Sequence, residues 1–260
     1  MSSIKIKAAV AVPEIVEYDI SHNHKTVLDY ISKAAKENVN LLLFPETVLT
    51  GLVISDDYSL DKQYAISLVS EPIKQIQAQA ASCGLWVALG FIEIANGILY
   101  DSAVLIDSNG TIVLHQRRMS HGWCAPSANP AEYGYGDEYK TAQTPWGKVG
   151  FMICGDLFHV NHYATEANLD ILLFPFARCF SSNIKLENYQ QQWDNVEWPE
   201  YAQQISQVNA YALMANYIAP VEGSPFCGGF GGGFITDRYG NLLGQLPLNT
   251  AGLGICDMTI

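Results

Sequence analysis

The sequence contains no C-x-x-C pair, and its six cysteines, at positions 83, 124, 154, 179, 227 and 256, are scattered singly. That spacing supplies neither a zinc-ligand pattern nor the framework of a small disulfide-stapled fold, so each cysteine has to be judged from its neighbours. Basic residues are also few. Fourteen Lys and Arg spread along the chain, against 26 Asp and Glu, give a formal net charge of −12, and without a clustered basic footprint no nucleic-acid partner is expected. Long apolar runs are missing too. The N-terminal MSSIKIKAAVAVPEIVEY reaches only five consecutive apolar residues before Pro13, too short for a secretory or membrane-spanning segment, so it is expected to be a first strand in a cytoplasmic protein with no membrane partner. No Pro/Ser tract, charge block or linker interrupts a composition of 49% hydrophobic and 15% charged residues. One compact folded domain over residues 1–260 is expected.

What the sequence does have is alternation of strand and helix patterns. Residues 4–12 predict a strand and 22–38 a helix, where Val27, Tyr30, Ile31 and Ala34 recur at helical spacing. Leu41-Leu42-Leu43-Phe44 is continuously apolar, as in a strand buried on both faces. A second helix is expected from Ser70, with Glu71 and Pro72 in its first turn. Three strands at 86–94, 98–107 and 111–117 are joined by Asn96-Gly97 and Asn109-Gly110, which signal an antiparallel meander. The irregular stretch 119–146 suggests a functional loop. The second half then repeats the order: a strand at 148–154, a helix at about 158–168, and the run Ile171-Leu172-Leu173-Phe174. A helix near 199–212, with Tyr201, Ile205, Val208 and Ala212 at helical spacing, and strands at about 213–218, 232–236, 242–246 and 252–257 follow. Mixed strands with paired helices fit a four-layer α-β-β-α sandwich.

Two residues at strand ends carry candidate chemistry. Glu46 follows the Leu41–Phe44 run, at the carboxyl end of a strand where α/β sheets place ligands; it could equally cap the following turn. Cys154 follows Phe151-Met152-Ile153 and precedes Gly155. A strand-turn-helix aims a nucleophile outward and points the next N–H at a developing oxyanion, whereas free cysteines are also common in cores. His159, His162 and Glu166 share one side of the expected helix, but the spacing is not H-E-x-x-H, and three polar side chains exposed to water are the simpler reading. Neither a metal nor an organic cofactor is expected. The glycine-rich GGFGGGF at 228–234 lacks the Lys-Ser/Thr of a phosphate loop and suggests close backbone packing. Tyr133, Tyr135 and Trp146 either line a pocket or belong to the core.

With Glu46 and Cys154 both at strand ends, the sequence resembles the carbon-nitrogen hydrolase family, or nitrilase superfamily, over nearly its whole length. The matching segments are LLLFPETVLTG (41–51), DSNGTIVLHQRR (107–118), GKVGFMICGD (147–156) and NLDILLFPFA (168–177), with weaker matches in QQISQVNAYALMANY (203–217) and GGFITDRYGNLLG (232–244). The resemblance implies the α-β-β-α sandwich, a homodimer or larger homo-oligomer, and a Glu-Lys-Cys triad, usually with a second glutamate nearby. Glu46 matches the general base, Cys154 the nucleophile, and Gly155 supplies an oxyanion N–H. The lysine does not carry over: counting from Gly110 of the hairpin turn places Arg118 in its position. The second glutamate falls on Asn129, counted back from Gly136, and Glu132 supplies that carboxylate only if the loop is re-registered. The substrate-binding set implied is Asn129, Glu132, Tyr135 and Phe176.

Cys154-Gly155-Asp156 is closer to the Cys-Tyr-Asp of the family's amidases than to the Cys-Trp-Glu of its nitrilases, and Cys-Gly-Asp-Leu-Phe is similar to the Cys-Glu-Asp-Leu-Trp of glutamine-hydrolysing domains. The implied activity is hydrolysis of a small linear amide through a cysteine thioester. The alternative is an impaired relative that binds a small amide or carboxylate as a sensor or partner subunit. An arginine cannot relay a proton, and a bidentate Arg118–Glu46 pair would occupy the substrate's place. Arg117, Arg118 and Arg178 suggest a carboxylate-bearing amide or, equally, surface ion pairs.

Overall fold

The computed structural model describes residues 4–159, 167–180, 184–219 and 229–260. Its strands are β1 (Lys5–Val12), β2 (Leu41–Leu43), β3 (Trp86–Ala95), β4 (Ile98–Ile106), β5 (Ile112–Arg117), β6 (Thr141–Thr144), β7 (Gly147–Phe151), β8 (Ile171–Pro175), β9 (Tyr211–Ala215), β10 (Gly231–Thr236), β11 (Leu242–Leu248) and β12 (Gly252–Thr259). The α-helices are α1 (Ile20–Lys36), α2 (Tyr58–Asp61), α3 (Glu71–Cys83), α4 (Tyr189–Gln192) and α5 (Trp198–Val208), the last two joined by a π-helical turn, Trp193–Glu197. The strands form two six-stranded sheets, ordered β12-β1-β2-β3-β4-β5 and β11-β10-β9-β8-β7-β6. In each sheet two consecutive parallel pairs, β1/β2/β3 and β7/β8/β9, are flanked by antiparallel ones. The repeated order expected of the two halves is therefore present.

Strand alternation sorts side chains into three apolar layers. Ala9, Ala11 and Leu42 pack with Val27 and Ile31 of α1 and Ile73 and Ile76 of α3. Their neighbours Ala8, Val10, Leu41 and Leu43 face the other way and meet Phe151 and Leu173 between the sheets. Leu172 and Phe174 point outward again onto Tyr201 and Ile205 of α5. The layers are α-β-β-α. Both faces of the central strands are buried, which is why they are uninterrupted apolar runs rather than alternating ones.

Turn chemistry fixes the hairpins. Asn96 and Gly97 both take positive φ, 52° and 79°, as a two-residue loop matching strand twist demands. At the second hairpin Asp107 N–H donates to Thr111 O and Gly110 N–H to Asp107 O, a three-residue loop, and the Asp237–Asn241 turn between β10 and β11 repeats both bonds. Two elements are shorter than expected. The helix expected to reach residue 212 ends at Val208, because Asn209 takes a left-handed φ of 56° as its cap, and Ala212 lies in β9 instead. The expected strand 148–154 ends at Phe151, and Cys154–His159 is a 3-10 turn. Residues 160–166 of the expected helix 158–168, with His162 and Glu166, lie outside the described residues, as does Gly228 of the glycine-rich stretch. Within the rest, a Cβ on Gly233 would lie 2.7 Å from Val10 Cγ2, the close packing of β10 on β1 that the stretch suggested. Among the described residues no helix is long and apolar enough to cross a membrane.

Candidate active site

Glu46, Arg118 and Cys154 come from three different connections and meet at the carboxyl ends of β2, β5 and β7. Glu46 leaves β2 through Phe44-Pro45. Phe44 N–H donates to Ala88 O and Gly90 N–H to Pro45 O, so the segment stays laced to β3 after β2 has ended. The approach is close: a Cβ on Gly90 would lie 2.7 Å from Glu46 Cα and 2.8 Å from Thr47 N, so only glycine fits against this backbone. Thr47 and Cys154, adjoining or forming the site, both hold positive φ, 47° and 46°. Such backbone is costly for residues with a Cβ, and it persists where surrounding structure over-determines it.

The Cys154 turn is tied to the Arg118 segment by Asp156. Its buried carboxylate accepts from Ile153 N–H at 3.1 Å, Met119 N–H at 3.1 Å and Ser120 N–H at 2.7 Å. Arg118 is 4% exposed, and its guanidinium is held at several points. Nη1 donates to Glu46 Oε1 at 3.0 Å, Nε to Ser120 Oγ at 3.1 Å and Nη2 to the His121 carbonyl at 3.0 Å. The bidentate clamp on Glu46 is not formed, because Nη2 is committed to His121 O. Burial opposes the guanidinium's charge, but Cys154, Glu46, Asp101 and Asp156 outweigh it and raise its pKa above that of ordinary arginine.

Glu46 is completely buried, and Cys154 is near enough for its charge to act on the Glu46 carboxyl. Burial first, and then negative charge on Cys154, push its pKa up to about 8, although Asp101 and Arg118 pull it down. A carboxyl titrating there is poised to exchange a proton near neutral pH. Gly155 gives the third constraint. A Cβ at this position would lie 2.7 Å from both Arg118 Nη2 and Ser120 Oγ, so the broad guanidinium occupies the space that a side chain at 155 would need. The two residues are complementary in volume.

Above these groups opens a cavity of about 390 Å³, lined in part by Leu52, Arg118, Cys154, Gly155, Arg178 and Tyr201. Glu197 and Glu200 stand on the same wall. Asn216 brings Arg178 there, donating Nδ2 to its carbonyl and accepting its N–H. The Arg178 head is paired with both oxygens of Glu197, at 3.0 and 2.9 Å. Sequence reasoning placed Tyr201 only in a core stripe and passed over Leu52, Glu197 and Glu200; Leu52 is held by the bond of its N–H to Tyr217 Oη, and the other three arrive with the 193–208 helical segment folding back over β8.

The structure brings Glu46, Arg118, Cys154 and Gly155 together and does not bring the expected substrate-binding set with them. Asn129 is exposed, and its Oδ1 accepts from Ala131 N–H within its own turn. Glu132 uses its carbonyl to accept Leu99 N–H, and its carboxylate is not among the cavity lining. Phe176 is fully buried, stacked between Phe174 and Trp193. Tyr135 pairs its hydroxyl with Cys124 Sγ at 3.3 Å and sits against His121, outside the lining. The supposed Tyr133–Tyr135–Trp146 cluster is divided: Tyr133 donates to Asp61 at 2.7 Å, while Trp146 packs on Trp86 between the sheets. Arg117 is also committed elsewhere, with two bonds to Glu93 and its guanidinium 3.6 Å from the Tyr100 ring centroid. The site also includes a residue that sequence reasoning missed, Asp101 of β4, 1% exposed, with Oδ2 3.5 Å from Arg118 Nη1.

A carbon-nitrogen hydrolase family model matches residues 7–260. Over 160 residues the chain is 32% identical to an arylacetonitrilase of Hypocrea virens, covering 57% of this chain and 47% of that protein. It is 26% identical over 167 residues to an aliphatic nitrilase of Sinorhizobium fredii, covering 58% and 53%. The chain thus spans about half the length of these curated relatives. Among solved structures, a carbon-nitrogen hydrolase from Helicobacter pylori G27 superposes with a TM-score of 0.79 at 18% identity, covering 97% of this chain and 88% of that one. A mutant amidase from Nesterenkonia sp. AN1 in complex with butyramide gives 0.76 at 17% identity, covering 97% and 90%. These likenesses show a shared α-β-β-α sandwich.

Proposed function

The chain belongs to the carbon-nitrogen hydrolase family, and from that premise we propose that it hydrolyses the C–N bond of a small linear amide through a thioester on Cys154. The observation that carries this reading is the convergence of a buried Glu46 carboxyl, the Arg118 guanidinium 3.0 Å from it, and Cys154 beside that guanidinium on the cavity wall. Glu46 takes the thiol proton as Sγ attacks the carbonyl carbon. The oxygen that becomes negative is held by the guanidinium and the Gly155 N–H. Protonated Glu46 returns its proton to the leaving nitrogen, and ammonia departs. Glu46 then deprotonates a water that attacks the thioester, the acid is released, and the thiolate recovers the proton. One carboxylate serves both halves, so Arg118 need only stay charged. The butyramide complex of the neighbouring amidase supports a linear aliphatic amide as the first substrate to try.

The same Glu46–Arg118 ion pair also favours the second reading, a relative that binds an amide without turning it over. Ammonia release from a panel of linear amides separates the two. The hydrolase reading expects saturable release, with kcat/KM rising as pH increases through about 8, because Glu46 must be ionised to act as base. No release from any amide, with a Cys154 that resists iodoacetamide at neutral pH, would leave only the binding protein.

Gly155→Ala tests the volume argument. The new methyl would displace Nη2, and kcat should fall on the order of 10²-fold, the effect of losing one oxyanion donor. Unchanged kinetics in this variant would show that the guanidinium does not work from its observed position.

A further inference from the structure

Asp101 has no part in the mechanism above, yet its carboxyl shares one dry pocket with Glu46 and Arg118. Glu46 Oε1 and Asp101 Oδ2 converge on the same Arg118 Nη1, at 3.0 and 3.5 Å, and each carboxyl shifts the other's titration. Glu46 Oε2 and Asp101 Oδ1 are both buried without a hydrogen-bond partner among the described residues. One guanidinium thus faces two carboxyls. Among the described residues the other titratable groups that act on the pair bring no second cation: Cys154, Tyr201 and Tyr217 interact with Glu46, and Asp156 and Cys124 with Asp101. Two adjacent buried carboxyls against a single positive charge cannot both ionise cheaply, and one proton on the pair makes the set of three neutral.

We propose that Asp101 is a positioning residue that holds this proton and donates it as a hydrogen bond to Glu46, keeping the neighbouring carboxyl free to act as base. The placement of Arg118 decides which carboxyl is the acid. Nη1 is 3.0 Å from Glu46 Oε1 but 3.5 Å from Asp101 Oδ2, so the negative charge is better stabilised on Glu46. The titration directions agree: burial and then the charge of Glu46 raise Asp101 well above the carboxylate range, and the bond between them lowers Glu46 while raising Asp101. A permanently charged arginine cannot give up a proton, and Asp101 is the group beside it that holds one in a hydrogen bond to the base.

The proposal rests on Glu46 as the base, and its test has one arm that needs no turnover. In the infrared spectrum of the resting protein at about pH 9, where Glu46 is ionised, the carbonyl stretch of one protonated buried carboxyl is expected. It should vanish in Asp101→Asn. A spectrum without that band in the wild type, or a band that survives in Asp101→Asn, overturns the proposal whether or not the protein is an amidase. The kinetic arm uses ammonia release from butyramide. Asp101→Asn keeps an N–H donor to Glu46 and should stay within about tenfold of the wild type, but lose the alkaline limb of its pH profile, since an amide has no proton to lose. Asp101→Leu, with neither donor nor proton, should fall on the order of 10²-fold in kcat. An alkaline limb that persists unchanged in Asp101→Asn would show that residue 101 is only structural.

Discussion

Replacing Cys154 with alanine should reduce ammonia release by on the order of 10⁴-fold or more, because removing a covalent nucleophile abolishes the pathway rather than weakening one contact. The fold should survive. Cys154 is only partly buried at the rim of two apolar clusters, and its Sγ makes a weak 3.9 Å hydrogen bond to Ala177 O. The backbone turn is held instead by Asp156, whose three N–H bonds do not involve the thiol. Ammonia release and a thermal melt on the same preparation check both halves: activity at background, and a melting temperature within a few degrees of the wild type. An active Cys154→Ala protein would remove the thiol from the chemistry.

Replacing Arg118 with methionine should be the most damaging change for stability. The guanidinium is the only positive charge hydrogen-bonded to Glu46 and Asp101 among the described residues, and both carboxyls are fully buried. Removing one partner of such a set typically costs about 3–5 kcal/mol, because the other is left buried and unpaired. The sign of the pH dependence follows from linkage. Without the cation, both folded-state carboxyl pKa values rise further above their unfolded values. The folded state then binds more protons than the unfolded one between those values, and stability falls as pH rises through that window. Urea unfolding of Arg118→Met should therefore give a higher midpoint at about pH 5 than at about pH 8. A pH dependence of the midpoint no steeper than that of the wild type would mean that the carboxyls do not depend on Arg118.

Most of the layer order could be read from sequence because both faces of the central strands are buried: Leu41–Leu43 and Ile171–Pro175 are continuous apolar runs, and Glu46 and Cys154 follow β2 and β7 after only a short interval. The hairpin at Asn96-Gly97 was equally visible, since its turn requires those residue types. Element ends were less so. Ala212 satisfies a helical spacing counted from Tyr201, but a left-handed Asn209 stops the helix first, and the residue is recruited into β9 by pairing with β8 and β10. Tertiary pairing overrides the local period there.

The candidate site divides along the same line. Counting from Gly110 located Arg118, and strand ends located Glu46 and Cys154. Asp101 was invisible because an acidic residue inside the strand pattern ILYDSAVLI looks like an ordinary outward-facing polar position. Only the approach of β4 to the Glu46 segment and to Arg118 shows that it faces inward. Asn129 and Glu132 of the expected binding set lie away from the cavity lining for the converse reason. Asn129 and Glu132 were placed by loop register, and loop register carries no information about which way a turn faces; Asn129 closes its own turn on the surface. Arg178 was seen as a charge, but its pairing with Glu197 on the cavity wall depends on the return of the 189–208 helical segment.

The most direct measurement is butyramide turnover in the presence of hydroxylamine. An acyl group carried on Cys154 can be captured by hydroxylamine in place of water, so butyrohydroxamate should appear and should replace butyrate increasingly as hydroxylamine is raised. Cys154→Ala should form neither product. Ammonia released with butyrate as the sole product at every hydroxylamine concentration would contradict a thioester on Cys154, and no ammonia at all would contradict the hydrolase.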